Sequence, residues 1–218
     1  MTGGRLRADG LRLFLGERQL LDGVDLEADG GEMVAVTGPS GAGKSTLLLV
    51  LAGVLRPDEG AVAYSTEAGV APVIALVPQT LALAASLTAA ENVALPVQVR
   101  GCDAKELQQR VAASLEAVGL GAASDRLVTE LSGGQRQRVA VARALAMRPD
   151  VIIADEATAE LDGENQRIVM DLLEEEAARG TLLVLATHDS LVAERCRRTY
   201  QLDSGHLVAA SSTAGTAG

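Results

Sequence analysis

The stretch EMVAVTGPSGAGKSTLLLVLAGVL, residues 32–55, decides the fold. Residues 32–37 are an apolar run with little polar alternation, the pattern of a strand covered on both faces. From Lys44 the apolar character resumes as a helix expected to reach Leu55. Between them stand Gly38, Pro39, Ser40, Gly41, Ala42, Gly43, Lys44, Ser45 and Thr46, which fit G-x-x-x-x-G-K-[ST]. Glycines at 38, 41 and 43 let backbone N–H groups turn towards one point at the positive end of a helix, a nest for phosphate. Lys44 is then placed to reach β- and γ-phosphates and Ser45 to coordinate Mg²⁺, with ATP as the expected ligand.

Two further segments fit around that loop. Residues 151–156, VIIADE, form an apolar strand ending in adjacent carboxylates. Asp155 is placed to hold Mg²⁺, and Glu156 to orient or deprotonate the water that attacks a γ-phosphate. Residues 131–135, LSGGQ, precede a helix-like run, and Ser132 and Gln135 have the S-x-x-Q spacing of a capping box. Capping explains neither Gly133 nor Gly134, since glycines weaken the first turn of a helix. Close approach of a phosphate to the helix start explains both.

Outward from these motifs, short apolar runs alternate with helical stretches, as in a mainly parallel sheet flanked by helices. A helix is expected from about Asp162 to Arg179, a third strand over 181–187, and a terminal hairpin over 199–209. Residues 81–131 read as an inserted helical subdomain, with Asp103 capping one of its helices. With no repeat or long linker, residues 1–210 are taken as a single domain and 211–218 as a disordered tail.

The 218 residues carry a net charge of −10 and 48% hydrophobic residues, ample for a buried core. The acidic balance argues against nucleic acid as a partner. The one basic cluster, Arg136, Arg138 and Arg143, reads as a solvated or partner-facing helical face. No apolar run is long enough to span a bilayer, and the N-terminus lacks a secretion signal, so a cytoplasmic location is expected. Cys102 and Cys196 have neither zinc spacing nor a disulfide framework and read as free thiols.

Taken together, the motifs resemble the ATP-binding-cassette (ABC) ATPase family, over roughly residues 6–208 and in family order. The phosphate loop is GPSGAGKST; Gln79 in ALVPQT matches the Q-loop; LSGGQ is the signature; VIIADEAT is the Walker B strand with its glutamate; ELD places Asp162 in the D-loop; and His188 in LLVLATHD is the switch histidine. The resemblance implies a P-loop NTPase of the ABC cassette type, α/β, with a mainly parallel core sheet, a small antiparallel β part and the inserted helices. It also implies ATP hydrolysis with Mg²⁺, in which Gln79 joins Ser45 and Asp155 at the metal and Glu156, His188, Gln79 and Lys44 serve catalysis. Two cassettes sandwich two ATP molecules, so that Ser132, Gly133, Gly134 and Gln135 act in trans. Phe14, the single phenylalanine, matches the adenine-stacking aromatic, for which a π-face suffices.

Within the family, LTAAENVALPVQVRG and ELSGGQRQRVAVARALA look most like the cassettes of lipoprotein-release and macrolide-export permeases and the related cell-division cassette. The implied partners are a second cassette, as a homodimer, and an integral membrane permease that holds the chain on the inner face of the cell membrane. A soluble mechanical ABC ATPase is the alternative, but such relatives carry long insertions or two cassettes in one chain. A P-loop kinase leaves LSGGQ and His188 without a task. Three departures stand out: Ala157 replaces the usual proline, Glu160 replaces a small D-loop residue, and the short 60–79 stretch implies a trimmed antiparallel sheet.

Overall fold

The computed structural model describes residues 4–66 and 69–212. Strands β1 (Arg5–Leu15), β2 (Arg18–Ala28) and β4 (Glu59–Ser65) form a three-stranded antiparallel sheet in the order β2-β1-β4. A six-stranded sheet contains β3 (Met33–Thr37), β5 (Ile74–Val77), β6 (Val151–Asp155), β7 (Leu182–Ala186), β8 (Arg198–Asp203) and β9 (His206–Ser212), in the order β5-β6-β7-β3-β8-β9. Every pairing in it is parallel except the β8–β9 hairpin. The expected α/β class with a small antiparallel part is the architecture observed.

The side-chain period of two in a strand divides each central strand between two cores. Val34, Val36, Val151, Ile153, Leu182 and Val184 pack towards α1 (Lys44–Leu51) and the antiparallel sheet, with Leu6, Leu21 and Leu26. Ala35, Ile152, Ala154, Leu183 and Leu185 pack towards the other helices. This is why these strands read as unbroken apolar runs: both faces are covered. Helices α2 (Ala89–Val99), α3 (Ala104–Ala117) and α4 (Gly133–Ala146) lie between β5 and β6 in sequence, and α4 packs on α2, α3, β5 and α5 (Gly163–Ala178). A short α6 (Ser190–Glu194) leads to β8. Thr88 and Asp103 cap α2 and α3, each accepting a bond from the backbone N–H three residues on.

Three expectations are corrected. Helix α1 stops at Leu51, not Leu55. Gly53 takes a left-handed φ of 72°, and the N–H groups of Val54 and Leu55 fold back onto the Leu49 carbonyl, a glycine-terminated helix end. Of the two readings of the basic cluster, the solvated face is overturned and the partner-facing one is left standing, with Arg138 lining a surface cleft: Arg136 donates to the Leu131 carbonyl, Arg138 to that of Val118, and Arg143 to those of Leu81 and Ala82. Each guanidinium fork closes carbonyls that the ends of neighbouring segments leave open. Strand β9 continues to Ser212 through ladder pairing with β8, two residues into the expected tail. The remainder of that tail, 213–218, lies outside the described residues.

Candidate functional site

The phosphate loop leaves the C-terminal end of β3, the central strand, and enters α1. Crowding explains two of its glycines. A side-chain carbon at Gly38 (φ 145°) would lie 2.1 Å from the Leu202 carbonyl oxygen, and one at Gly43 (φ 105°) 2.9 Å from that of Leu20. The loop is thus pressed between β8 and β2 with no room for a methyl group. Lys44 Nζ donates to the carbonyls of Gly38 (2.8 Å) and Pro39 (3.0 Å), so its ammonium sits within the loop.

Strand β6 delivers the two carboxylates. Asp155, 5% exposed, is held by the Ser45 hydroxyl. Burial pushes its carboxyl above the usual aspartate range, and the neighbouring Glu156 charge adds to that, while the Ser45 hydrogen bond opposes it. Glu156 turns sharply away from the strand with φ 54°, a left-handed conformation rare outside glycine. Its N–H donates to Ala186 O (3.0 Å), and its carbonyl accepts from Gln137 Nε2 (3.0 Å). Its carboxylate Oε1 lies 2.8 Å from His188 Nδ1. His188 is placed by β7: Thr187 donates its N–H to Val36 O, fixing the strand exit. The Glu156 hydrogen bond raises the imidazole above the ordinary histidine value.

A cleft of about 430 Å³ is lined by Gly38, Ser40, Gly41, Gly43, Lys44, Ser45, Thr46, Gln79, Asp155, Glu156 and His188. Of the expected loop residues, Pro39 and Ala42 do not line it, and Ala42 is buried beneath the loop. Phe14 does not line it either. It stands 44% exposed on β1 opposite Gln19, so it is not a core residue. The β1–β2 hairpin meets the cleft through Arg18 and Leu20 instead, and Arg18 reaches 3.5 Å from Gly41 O. No sequence signal marked Arg18. Gln137 was missed as well; its signal was a polar side chain on the face of α4 that buries Ala140, Val141 and Ala144.

A second cleft, about 390 Å³, is lined by Ser132, Gly133, Gly134, Gln135, Glu160 and Asp162 among others. Ser132 Oγ accepts from Gln135 N–H (3.2 Å) and Gln135 Oε1 from Ser132 N–H (2.9 Å), which completes the expected capping box. Asp162 caps α5 through Asn165 N–H (2.9 Å). Side-chain carbons at Gly133 and Gly134 would meet Glu160, at 2.4 Å from Oε2 and 3.0 Å from its carbonyl oxygen. Only the Gly134 contact is with backbone, and the atom that faces Gly133 is the movable end of a side chain, so Glu160 crowds this helix start without by itself demanding both glycines.

The sequence model of the ABC transporter family matches residues 21–159. The chain belongs to the ABC transporter family. This ABC cassette is 40% identical over 206 residues to the lipoprotein-releasing system ATP-binding protein LolD of Hydrogenovibrio crunogenus, covering 89% of this chain and 90% of that one. It is 37% identical over 207 residues to the cell division ATP-binding protein FtsE of Escherichia coli, with 90% and 93% covered. The solved dimeric ATP-binding cassette MJ0796 in a post-hydrolysis state bound to ADP and Pi superposes with a TM-score of 0.88 at 31% identity, covering 96% of this chain and 99% of that one. The cassette is thus the ATP-binding subunit of an ABC transporter, and its reaction is ATP hydrolysis coupled to transport.

Proposed function

We propose that two copies of this cassette close head to tail around two ATP molecules and drive a separate membrane permease of the lipoprotein-release or macrolide-export type. In each site one copy supplies Gly38 to Thr46, Gln79, Asp155, Glu156 and His188, and the other supplies Ser132 to Gln135 and, from the D-loop, Asp162. The observation that carries this reading is the separation of the two clefts: the phosphate-loop cleft and the signature cleft share no lining residue. The signature has no nucleotide to meet within its own chain.

Within such a site, Lys44 leaves the carbonyls of Gly38 and Pro39 for the β- and γ-phosphates, a stronger pairing for an ammonium. Glu156, next to the γ-phosphate, accepts the proton of the attacking water, and His188 holds the carboxylate from its far side. Mg²⁺ fits the donors present, since the Ser45 hydroxyl, Asp155 carboxylate and Gln79 amide are the hard oxygens it prefers. Among the described residues no group of three or more His, Cys, Asp or Glu could hold a metal, so the ion depends on the nucleotide's own oxygens. When bound, it neutralises charge on the transferred phosphoryl group. Phe14 reaches adenine only if the β1–β2 hairpin tip bends over the cleft.

No helix among the described residues is long and apolar enough to cross a membrane. That fits a peripheral subunit held at the cytoplasmic face by its permease, and the 40% sequence identity to LolD supports the permease type. Co-purification from membranes tests this part; a cassette that leaves the membrane without any integral partner contradicts it. Mixing a Ser132→Arg chain with a Lys44→Ala chain tests the shared site. One site of each heterodimer then carries both defects and the other neither, so a heterodimer should regain about half of a wild-type pair's activity, and an equal mixture that pairs at random about a quarter. No recovery at all refutes shared sites.

A further inference from the structure

Gln137 is the most deeply buried amide on α4, 2% exposed, on a face otherwise made of Ala140, Val141 and Ala144. A primary amide in such a place is costly unless it is hydrogen-bonded. Its Nε2 donates, at 3.0 Å, to the carbonyl of Glu156, the residue whose backbone stands at φ 54°. From the other side Ala186 O accepts the Glu156 N–H at 3.0 Å. A left-handed backbone at a glutamate is strained and persists only where neighbours over-determine it. Here β7 holds one end of the residue and α4 the other. Ala157 follows, so no proline ring restricts Glu156.

We propose that Gln137 is a positioning residue for hydrolysis: it fixes the Glu156 backbone so that the carboxylate points into the phosphate-loop cleft. Without the donor, Glu156 relaxes towards ordinary φ and its carboxylate swings out of line with the γ-phosphate. Resting on the sandwich proposed above, there is a second consequence. Gln137 lies little more than one turn beyond Ser132 on the same helix. The helix start that meets the partner's nucleotide and the carboxylate that activates water at the chain's own nucleotide are joined by a rigid turn and one hydrogen bond. A displacement of α4 on closure is carried to Glu156, so each ATP reports its arrival to the other site.

The test is Gln137→Met, which keeps length and apolar volume but removes the donor. Steady-state hydrolysis should show kcat lowered about tenfold, the effect of about 1.4 kcal/mol. KM and the affinity for a fluorescent ATP should stay within about twofold, because no phosphate contact is touched. Combined with Glu156→Gln, the substitution should lower the residual rate no further. An unchanged kcat overturns the proposal. So does a kcat loss matched by equal losses of ATP affinity and thermal stability, which marks a merely structural role. If Gln137→Met folds poorly, Gln137→Asn, which withdraws the same amide by one carbon, must reproduce the split between kcat and KM. A Glu156→Gln chain that stays monomeric with ATP overturns the sandwich and the inter-site coupling. Normal dimerisation with unaffected kcat in Gln137→Met removes the positioning role alone.

Discussion

Asp155 shows how one residue can trade stability for chemistry. Its raised carboxyl means the folded chain binds that proton more tightly than the unfolded chain does. The resulting stabilisation is full below the ordinary aspartate value and is lost as pH rises through the folded value. At neutral pH, without Mg²⁺, the buried charge opposes folding. Asp155→Asn should therefore raise the Tm of the nucleotide-free chain, by about 2–4 °C for each kcal/mol relieved, while abolishing Mg²⁺-dependent hydrolysis; calorimetry and a phosphate-release assay check the two halves. His188 carries the opposite charge logic. Its imidazole is raised by Glu156, so the contact is strongest below the ordinary histidine value and fades as pH rises through the raised one. NMR titration should find its midpoint above that of a free histidine, falling back in Glu156→Gln. Both residues were legible in the sequence because each ends an apolar strand, where a side chain must meet the sheet's open edge. Gln137 was not legible, since its partner is a carbonyl 19 positions away in sequence, and nothing in α4 announces which carbonyl that is.

At the scale of elements, caps and strand order were readable and close approaches were not. The capping box at Ser132 and the cap at Asp103 follow from local spacing, and the parallel strands from their doubly buried runs. The end of α1 at Gly53 also had its signal, which the continuing apolar run to Leu55 obscured. The β1–β2 hairpin was harder: which of Phe14, Arg18 and Leu20 faces the cleft depends on register shifts within the hairpin, which composition does not encode. The same holds for the pressure of β8 on the phosphate loop. Gly38→Ala places a carbon 2.1 Å from Leu202 O at a φ of 145°, so either the loop or the β8 hairpin must yield. ATP affinity should fall at least tenfold with a Tm loss of several degrees, read by fluorescent-ATP binding and thermal unfolding; a variant with intact affinity would show that the loop tolerates displacement.

For the whole molecule, Glu160 is the departure with a physical consequence. It is exposed, and it stands in the cleft where a partner's γ-phosphate is proposed to dock. Like charges repel there, though exposure and salt weaken the effect. In a Glu156→Gln background, Glu160→Gln should lower the ATP concentration for half-maximal dimerisation about two- to fivefold at low salt, with the gap narrowing as salt is added; light scattering follows it, and no shift at low salt would clear Glu160 of this role.

The position of β3 has a consequence for the life of the chain before it is finished. On the ribosome the phosphate loop emerges well before its neighbours, because the strand that carries it pairs only with β7 and β8, which begin at residue 182. A nascent chain halted before residue 182 holds every atom of the loop but neither of the strands that flank β3. Nucleotide capture therefore waits for β7 and β8, and until they arrive chaperones meet an apolar strand with both edges unpaired.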